Sequence, residues 1–563
     1  MKRITLYALG ACAVACGVLC ASGKSTKADI SRNMAIFGDI YKELQTNYVD
    51  TLDARKTMRT AIDALLGSID PYTEYFSEEE QDKITSVSSG EYDGIGSTIM
   101  KRDTTIVLSA PGWDSPARRA GVHHGDVLLA IDGTPVDAAF TIDRASSMLK
   151  GQPGTEVKVK VRRPYLPAGQ DSIFEFDIVR GSIKIKPIPY YGIIDDAQGT
   201  GYIAITTFNE NTAGDFRKAL ESLRATGKLK NLIVDLRDNG GGLLESAVRV
   251  ASNFVPRGTG IVSVKGRNPR DVRTHKTTSS PIEPKMPVVV LINGQTASAA
   301  EILAGSLQDL DRAVVVGKRS YGKGLVQNVR PVPYNGLMKV TTGRYYIPSG
   351  RLIQAIDYSH RDANGNVTRI PDSLTNVFHT VAGREVRDGG GITPDVTVKL
   401  PDGNRLLYNI VADLWVEDFA NRVANNTTTA PDPAHWEVSD SLFAQFKETI
   451  DPERFKYDRA TDEGIKYLRE AARVEGYTSP AVTAAIDSLE KLMRHDLYRD
   501  LDFNSKEIKS YLDGELSTRW YDEAEVVRRS LRDDLFVKEA LLILADPRQY
   551  GVLLAAPSKE KKK

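Results

Sequence analysis

The stretch "PVVVLINGQTASAAEILAGSLQ" (287–308), followed closely by "AVVVG" (313–317), decides the fold that the sequence predicts. It contains an apolar run, a turn of small residues, a helical run and a second apolar run. The earlier run "LIVDLR" (232–237) is likewise followed by glycines and by an apolar stripe at helical spacing. Fully apolar strands that alternate with helices indicate a mostly parallel sheet covered on both faces. We therefore predict an α/β core around this stretch.

The length and composition of the chain set its broad class. A chain of 563 residues is too long for one hydrophobic core and implies roughly three or four domains of ~150 residues each. Its 74 basic and 74 acidic residues balance. Because there is no global basic field of the kind that attracts nucleic acid, we expect no nucleic-acid partner.

Changes of pattern along the chain predict its segments. A β-rich module is indicated by short strands between glycine turns, namely "TTIVLSA", "DVLLAIDG", "EVKVKVRR" and "FEFDIV". The predicted segments are a signal peptide or membrane or lipid anchor at 1–23, an N-terminal helical segment at 30–87, the β-rich module at 88–183, the α/β core at 184–400, a helical C-terminal domain at 401–556 and a disordered basic tail at 557–563.

The N-terminal sequence "MKRITLYALGACAVACGVLC" (1–20) has two cations followed by 17 residues without charge, which is typical of a secretory signal. An uncleaved anchor is one alternative, because the run is only slightly shorter than the ~20 residues that cross a bilayer. A lipidated cysteine is another, since "LGAC" and "AVAC" loosely resemble a bacterial lipoprotein signal. Each alternative places the catalytic part outside the cytoplasm. All three cysteines lie here, so the folded part contains no disulfide and no thiolate nucleophile.

Two apolar stripes at helical spacing stand out in the helical segments. One lies near the N-terminus, and the other lies in "SPAVTAAIDSLEKLMRH" (479–495), which begins with a serine cap and a first-turn proline. We predict that this second stripe and a similar one in "WYDEAEVVRRSLRDDLFVKEALLILAD" (520–546) pack against the core or between domains. The second stripe consists of Val482, Ala485, Ile486, Leu489 and Met493.

Ser298 stands where a predicted strand gives way to a predicted helix. At such a junction a hydroxyl lies at the carboxyl edge of the sheet, and the free N–H groups of the first helical turn can stabilise an anion. Ser298 is therefore a candidate nucleophile. The alternative is that Ser298 or Thr296 only caps the helix, with Glu301 as an acidic residue of the first turn.

Lys323 is the candidate base, because no histidine lies near Ser298. It stands in "RSYGKGLVQ" (319–327), twenty-five residues after the serine and just past the next strand. A lysine can act as a base only when neutral, so burial must lower its pKa from ~10.4 by about 3 units, or roughly 4 kcal/mol. Gln327 could accept a hydrogen bond from the neutral amine without adding charge. The alternative for Lys323 is an exposed loop cation.

The glycines of "DLRDNGGG" (235–242) follow a predicted strand and can expose N–H groups to an oxyanion, although they could equally form a tight turn. The seven histidines are scattered and "HExxH" is absent, so we expect no metal and no organic cofactor. "HRDANGN" (360–366) resembles a kinase catalytic loop and a calcium loop, but its Asn364-Gly365 pair favours a hairpin turn.

Eight motifs in order and at family spacing give a resemblance over roughly residues 35–400. They are "DPYTEY" (70–75), "GIGS" (94–97), "SPARRAGVHHGDVLLAIDG" (115–133), "DLRDNGGGLL" (235–244), "TASAAEI" (296–302), "RSYGKGLVQ" (319–327), "RYYIPSGRLIQ" (344–354) and "GGITPDV" (390–396). The chain resembles the carboxy-terminal processing proteases, or tail-specific proteases, of the serine-lysine class. The resemblance implies an α/β, crotonase/ClpP-like serine protease core with an inserted PDZ domain.

The resemblance also implies roles for particular residues. Ser298 would be the nucleophile, Lys323 the general base and Gln327 the residue that orients the lysine. The oxyanion hole would be formed by the backbone amides of Ala299 and of either Gly240 or Gly241. The accessory candidates are Glu301 and Asp309; a carboxylate near Lys323 would raise its pKa, so Asp309 ranks below Gln327. The carboxylate-binding loop of the PDZ domain would consist of Gly94, Ile95 and Gly96.

The function that follows is an exported serine endopeptidase of the bacterial periplasm or envelope that cuts near the C-termini of proteins. Its partners would be protein tails, and the helical C-terminal domain could dock the PDZ domain, form a homo-oligomer or recruit an adaptor. The family commonly has proline where this chain has Gly240, so we expect a more mobile oxyanion loop when the site is empty. The alternatives are a catalytically silent PDZ binding protein and a crotonase-like acyl-CoA enzyme.

Overall fold

The computed structural model describes residues 27–556 except 167–171, 269, 363–364, 402, 458 and 495. The predicted signal or anchor (1–23), the predicted basic tail (557–563) and Asn364 of the predicted hairpin turn lie outside the described residues. The described chain divides into two compact units, one formed by 27–77 with 329–340 and the other by 78–328 with 341–556.

The first unit begins with two helices and a short strand. They are α1 (Lys27–Asn47), α2 (Ala54–Gly67) and β1 (Glu74–Phe76). Helix α1 carries the predicted apolar stripe, but no side chain of this described helix is buried. The chain turns at Asp70-Pro71, where the Asp70 carboxylate accepts the N–H groups of Tyr72 and Thr73 at 2.8 Å each.

The β-rich module opens the second unit and has its own core. Its elements are α3 (Gln81–Ser89), β2 (Glu91–Gly94), β3 (Ser97–Arg102), β4 (Thr105–Pro111), α4 (Pro116–Ala120), β5 (Asp126–Ile131), β6 (Thr134–Pro135), α5 (Ile142–Leu149), β7 (Glu156–Arg162), β8 (Ile173–Val179) and β9 (Gly181–Lys184). The antiparallel sheet has the order β3-β4-β5-β7-β8, so β3 lies at an edge. Alternate residues of β7 face the core, as the sequence predicts.

The α/β core follows. Its elements are β10 (Tyr191–Asp195), β11 (Thr200–Ala204), α6 (Thr212–Ala225), β12 (Asn231–Asp235), α7 (Leu244–Ala251), β13 (Gly260–Gly266), β14 (Val272–Lys276), β15 (Val288–Ile292), α8 (Ala299–Asp309), β16 (Val314–Gly317), β17 (Leu325–Val332), β18 (Gly336–Tyr346), β19 (Ile356–Arg361), β20 (Val367–Arg369), β21 (Val377–His379), β22 (Glu385–Arg387) and β23 (Val396–Thr397). Its main sheet has the order β10-β11-β12-β15-β16-β23 and is parallel except for the β10–β11 pair. The mostly parallel sheet is confirmed, and β19 and β20 form the predicted hairpin.

The helical C-terminal region completes the chain. Its helices are α9 (Arg405–Ala412), α10 (Trp415–Asn425), α11 (Asp440–Thr449), α12 (Ala460–Val474), α13 (Pro480–Leu492), α14 (Leu497–Phe503), α15 (Ser505–Trp520), α16 (Glu523–Ser530), α17 (Leu535–Ala545) and α18 (Pro547–Leu554). The stripe of α13 does not pack as predicted, because only Ile486 in it is buried. Among the helices that the structure describes, none is long and apolar enough to cross a membrane.

The main sheet is covered on its two faces by different parts of the chain. Helices α6, α7 and α8 cover one face. Helix α17 packs Phe536, Val537 and Ile543 against the other face, where they meet side chains of β11, β12, β15 and β16. A buried aromatic or aliphatic side chain contributes roughly 1.5–3 kcal/mol. Helix α17, which lies in the predicted C-terminal helical domain, thus covers one face of the core sheet.

Helices α10 and α15 dock on the β-rich module. The guanidinium of Arg102, at the end of the edge strand β3, makes a bidentate pair with Asp418 at 2.6 Å. His123 Nδ1 lies 2.8 Å from Asn425 Oδ1, and Arg118 donates to the carbonyl of Arg519 at 2.6 Å. The C-terminal region thus contacts both the module and the core sheet.

Candidate active site

Ser298 lies between the end of β15 and the start of α8, as the sequence predicts. It occupies the N-cap position of α8, with φ 56° and ψ −117°. This backbone conformation is costly for a residue with a Cβ, and such strain recurs at sharp strand-to-helix turns that present a nucleophile. The side chain is partly buried. The chain direction therefore changes abruptly at the serine.

Glu301 ties the serine turn to the lysine loop. Its Oε2 accepts the N–H groups of Ser298 and Lys323 at 2.9 Å each, and its Oε1 accepts the Gly322 N–H at 2.7 Å and the Ser320 hydroxyl at 2.5 Å. The backbone nitrogens of Ser298 and Lys323 can thus be no further apart than twice 2.9 Å. Residues twenty-five positions apart meet at one oxygen atom.

The Glu301 carboxyl is fully buried, and its hydrogen-bonding donors carry no formal charge. Burial raises the pKa of Glu301 to about 7, and the hydrogen bonds from Ser320, Lys323, Ser298 and Gly322 lower it only in part. The cap alternative thus holds in altered form, since the first-turn acid does bond the Ser298 N–H and at the same time bonds a second loop.

Tyr345 forms a second connection between the same two loops. Its hydroxyl lies 3.2 Å from the carbonyl oxygen of Ser298 and also bonds the carbonyl oxygen of Lys323. The Tyr345 side chain is buried. Tyr345 and Ser320 lie in two of the motifs that carry the family resemblance, but the sequence predicts no role for either. The sequence feature that could have indicated a role is their position inside these motifs.

Lys323 lies in a loop that leaves no space for side chains beside it. A Cβ on Gly322 would lie 2.3 Å from the Cβ of Ala355, and a Cβ on Gly324 would lie 2.8 Å from the nitrogen of Gln354. The Gly324 N–H donates to the Gln354 side chain at 2.7 Å. Lys323 is partly buried, so the exposed-cation alternative does not describe it.

Gln327 lies on β17 and is partly buried. Its amide nitrogen donates to the hydroxyl of Thr341 on β18 at 3.1 Å. This bond fixes the amide plane of Gln327. Its predicted role in orienting Lys323 stays a prediction.

Asp309 lies outside the site. It is the last residue of α8, so a helix of eleven residues, about 15 Å long, separates it from Ser298. Its carboxylate lies 2.8 Å from a guanidinium nitrogen of Arg351 and accepts the Ser349 N–H at 2.9 Å. Both members of the ion pair are buried. Asp309 is therefore separated from Ser298 by the length of α8, and these contacts give no support to its accessory assignment.

The predicted oxyanion loop lies directly against Ser298. A Cβ on Gly241, which has φ +101°, would lie 2.7 Å from the Cβ of Ser298 and 2.9 Å from the nitrogen of Ala299. Of the two predicted alternatives, Gly241 already donates its N–H to Asn239 Oδ1 at 2.8 Å. Among the described residues, the N–H groups of Gly240 and Ala299 have no protein acceptor.

Asn239 fixes this loop even though the family's proline is absent. Its side chain is fully buried and donates to the carbonyl of Ile205 at 2.7 Å. Its own carbonyl accepts the Ala297 N–H at 2.9 Å. The expectation of a more mobile loop is therefore not supported by these contacts.

The predicted carboxylate-binding loop comes just before the edge strand β3. Gly94 ends β2, Ile95 is buried, and Gly96 has φ +73° with Ser115 Cβ 2.6 Å from where its own Cβ would be. The carbonyls of Ile95 and Gly96 accept backbone N–H groups at 2.9 Å. Within the described chain, the N–H groups of Ile95 and Gly96 have no backbone acceptor. This arrangement suits a carboxylate at the end of an added strand.

No group of three or more histidine, cysteine, aspartate or glutamate side chains in the described ranges is arranged to hold a metal ion.

Three family models match parts of the chain. "Peptidase family S41" matches residues 199–359, which include Ser298 and Lys323. "PDZ domain" matches 108–163, and "Probable PDZ-protease, C-terminal helical domain" matches 406–544. The matches correspond to the α/β core, the β-rich module and the helical region.

Similar proteins carry names of the same kind. The carboxy-terminal-processing protease of Bartonella bacilliformis is 36% identical over 328 residues, which cover 58% of this chain and 73% of that protein. A probable CtpA-like serine protease of Staphylococcus aureus is 26% identical over 447 residues, covering 79% of this chain and 78% of that protein. The solved structure of a photosystem II D1 C-terminal processing protease is 25% identical, with a TM-score of 0.36, and covers 65% of this chain and 88% of its own.

The fold and the site thus define a serine-type peptidase that carries a PDZ domain and a C-terminal helical domain. The chain belongs to peptidase family S41.

Proposed function

We propose that this peptidase is exported and cleaves envelope proteins near their C-termini with a dyad of Ser298 and Lys323. The observation that carries the proposal is the pair of hydrogen bonds from the Ser298 and Lys323 N–H groups to one oxygen of Glu301. These bonds hold the backbones of the two candidate residues next to each other. The names of similar proteins, which describe carboxy-terminal processing, support the substrate class.

The mechanism uses Lys323 in both half-reactions. Neutral Lys323 accepts the Ser298 proton as Oγ attacks the scissile carbonyl, and the ammonium then returns that proton to the leaving amine. Water hydrolyses the acyl-enzyme with the same lysine as base. The N–H groups of Ala299 and Gly240 stabilise the oxyanion. Ala299 follows Ser298, Gly240 precedes Gly241, which lies against Ser298, and neither N–H has a protein acceptor among the described residues.

Glu301 and Gln327 act on this dyad without exchanging protons with substrate. Glu301 holds the Ser298 and Lys323 backbones together. Gln327, fixed by Thr341, orients the lysine amine through its amide oxygen. The core would share the crotonase/ClpP-like arrangement that the sequence predicts.

Substrate tails are selected by the PDZ domain. An extended tail would add to the free edge of β3, and its terminal carboxylate would bind the N–H groups of Ile95 and Gly96 beside Gly94. The C-terminal helical domain docks this PDZ domain through Arg102 and Asp418, which supports a role in placing the captured tail.

Export to the periplasm or envelope rests on the sequence of residues 1–23 alone, whether that segment is cleaved, lipidated or kept as an anchor. A homo-oligomer or an adaptor at the helical domain is supported by exposed apolar residues on α12 and α13, among them Tyr467 and Leu492, which are 77% and 80% exposed.

The test compares one peptide in two forms, with a free C-terminal carboxylate and with a C-terminal amide. Wild type should cleave the free acid at least about tenfold faster, because the amide loses the charge that the PDZ loop binds. Ser298→Ala should bind the free acid and cleave nothing. Ser306→Ala is the matched control, since Ser306 lies on the same helix and donates to the Leu303 carbonyl. Peptide binding without cleavage by wild type would instead indicate a binding protein, and cleavage by Ser298→Ala would exclude the dyad.

The natural substrates can then be identified with the inactive protein. Ser298→Ala incubated with envelope extract should retain proteins through their C-terminal tails, and sequencing of termini after wild-type digestion should show cuts near those tails. Cuts spread evenly along the captured chains would contradict C-terminal processing.

A further inference from the structure

The N-terminus of α17 meets the base of the oxyanion loop through Asp534. One carboxylate oxygen accepts the N–H groups of Phe536 and Val537 at 2.8 and 3.2 Å, and so caps the helix. The other oxygen lies 2.7 Å from a guanidinium nitrogen of Arg237. Asp534 therefore bonds its own helix and the protease core at the same time.

Arg237 is held by two carboxylates in a largely buried place. Its side chain is 17% exposed, that of Asp534 13% and that of Asp235 8%. The Arg237 Nε lies 3.0 Å from each Asp235 oxygen, and the guanidinium also stacks over the ring of Phe536. Tyr202 donates its hydroxyl to Asp235 at 2.7 Å. The guanidinium thus has a fixed position between sheet and helix.

The position of Arg237 sets how the chain enters the oxyanion loop. Its backbone N–H donates to Asp235 Oδ1 at 2.9 Å. The next residue, Asp238, has φ +57° and donates its N–H to Asn293 at 3.1 Å. Asn239 and Gly240 follow directly. Movement of Arg237 would therefore be passed to Gly240 over a span of three residues.

We propose that Asp534 is a positioning residue for the oxyanion loop, acting through Arg237. The C-terminal helical domain then contributes to peptide cleavage without touching the substrate. This inference rests on the proposed function, because it assumes that the Gly240 N–H binds the oxyanion.

The test removes the negative charge of residue 534 but keeps a side chain that can cap helix α17. Asp534→Asn retains an N-cap residue but loses the ion pair. Asp533→Asn is the matched control, since the Asp533 side chain is 79% exposed and pairs with Lys538 on the helix surface. With the free-acid peptide as substrate, Asp534→Asn should lower kcat by about 10- to 100-fold and leave KM unchanged, because a small displacement of a donor costs that much. Asp533→Asn should match wild type in both.

A double-mutant cycle separates positioning from general loss of structure. If Asp534 acts through Arg237, adding Asp534→Asn to Arg237→Met should lower kcat no further. Additive losses in the cycle, or a wild-type kcat in Asp534→Asn, would overturn the inference. If Asp534→Asn unfolds below the assay temperature, Asp534→Glu is compared with Asp534→Gln instead. These two variants have nearly the same size and differ in charge. Equal kcat values for them would overturn the inference.

Ser298→Ala is measured in the same series. Activity in Ser298→Ala would overturn the proposed function itself. An inactive Ser298→Ala together with a fully active Asp534→Asn would overturn only the role of Asp534.

Discussion

The two ends of α8 each bury a carboxylate, and the two carboxylates have different partners. Glu301, in the first turn, accepts hydrogen bonds from two loops and has no cation among its bonding partners. Asp309, at the last position, pairs with the buried guanidinium of Arg351. Both ends belong to a helix whose side chains are all buried.

The difference shows what a buried acid contributes at each place. The N–H and O–H donors around Glu301 belong to the segments that carry Ser298 and Lys323, so loss of Glu301 should change the geometry of the proposed dyad. The partners of Asp309 belong to the outer loop at 349–351, so its loss changes stability. A substitution of Glu301 should therefore mainly lower activity, whereas a substitution of Asp309 should mainly lower stability.

Glu301→Ala should have the largest effect. Four hydrogen-bond donors would lose their buried acceptor, at about 1–3 kcal/mol each, and the serine and lysine segments would separate. We expect kcat/KM to fall by at least about 10³. Binding of a C-terminal peptide to the PDZ domain should persist, because that domain has its own core. Peptidase activity within tenfold of wild type would contradict the claim that Glu301 maintains the geometry of the site.

Asp309→Ala should destabilise the protein and spare its chemistry. It leaves the Arg351 charge buried without a partner, which typically costs 3–5 kcal/mol. The midpoint of thermal unfolding should fall, while kcat per folded molecule stays within about twofold. Replacing both partners, as in Asp309→Leu with Arg351→Met, should recover part of the midpoint. A large fall in kcat without a change in the unfolding midpoint would instead indicate that Asp309 has a role in catalysis.

The pH dependence of stability should reveal Glu301. Its pKa is raised from 4.5 to about 7 in the folded protein, so the folded state retains a proton that the unfolded state releases. The stabilisation is complete below about pH 4.5 and is lost as the pH rises to about 7, by about 3 kcal/mol in total. The unfolding midpoint of wild type should fall relative to that of Glu301→Gln over this interval. A constant difference would contradict the raised pKa.

Gly241→Ala should have a smaller effect on activity than loss of Glu301. An added Cβ would meet Ser298 and Ala299 at less than 3 Å, and the loop would have to move. We expect kcat to fall by about 10². Gly214→Ala, on α6 and outside the site, is the matched control, because no atom lies within 4 Å of its Cβ position. Equal kcat values for the two variants would show that the loop does not need this close approach.

Local patterns made much of the fold predictable from the sequence. The alternating strands of the PDZ domain and the apolar strands of the main sheet lie where predicted. The apolar stripes of α1 and α13 are largely exposed. Periodicity predicts which face of a helix is apolar, but it does not predict what packs against that face. The stripe of α17 does pack on the core sheet, as predicted, but periodicity alone does not specify which face of the sheet it covers.

The candidate site was predictable in its residues but not in its connections. A serine, a lysine and glycines at family spacing indicated the dyad and its loop. The bonds from Glu301 to Ser320 and Gly322 join segments about twenty residues apart, which helix capping rules do not predict. The separation of Asp309 from Ser298 follows from the rise of 1.5 Å per residue along a helix.

The most direct test of the dyad is the activity of Lys323→Arg measured beside Lys323→Ala on the free-acid peptide. A guanidinium cannot lose its proton in a protein, so Lys323→Arg should be as inactive as Lys323→Ala even if it keeps the positive charge. Both variants should retain peptide binding by the PDZ domain. Substantial cleavage by Lys323→Arg would contradict the assignment of Lys323 as the base.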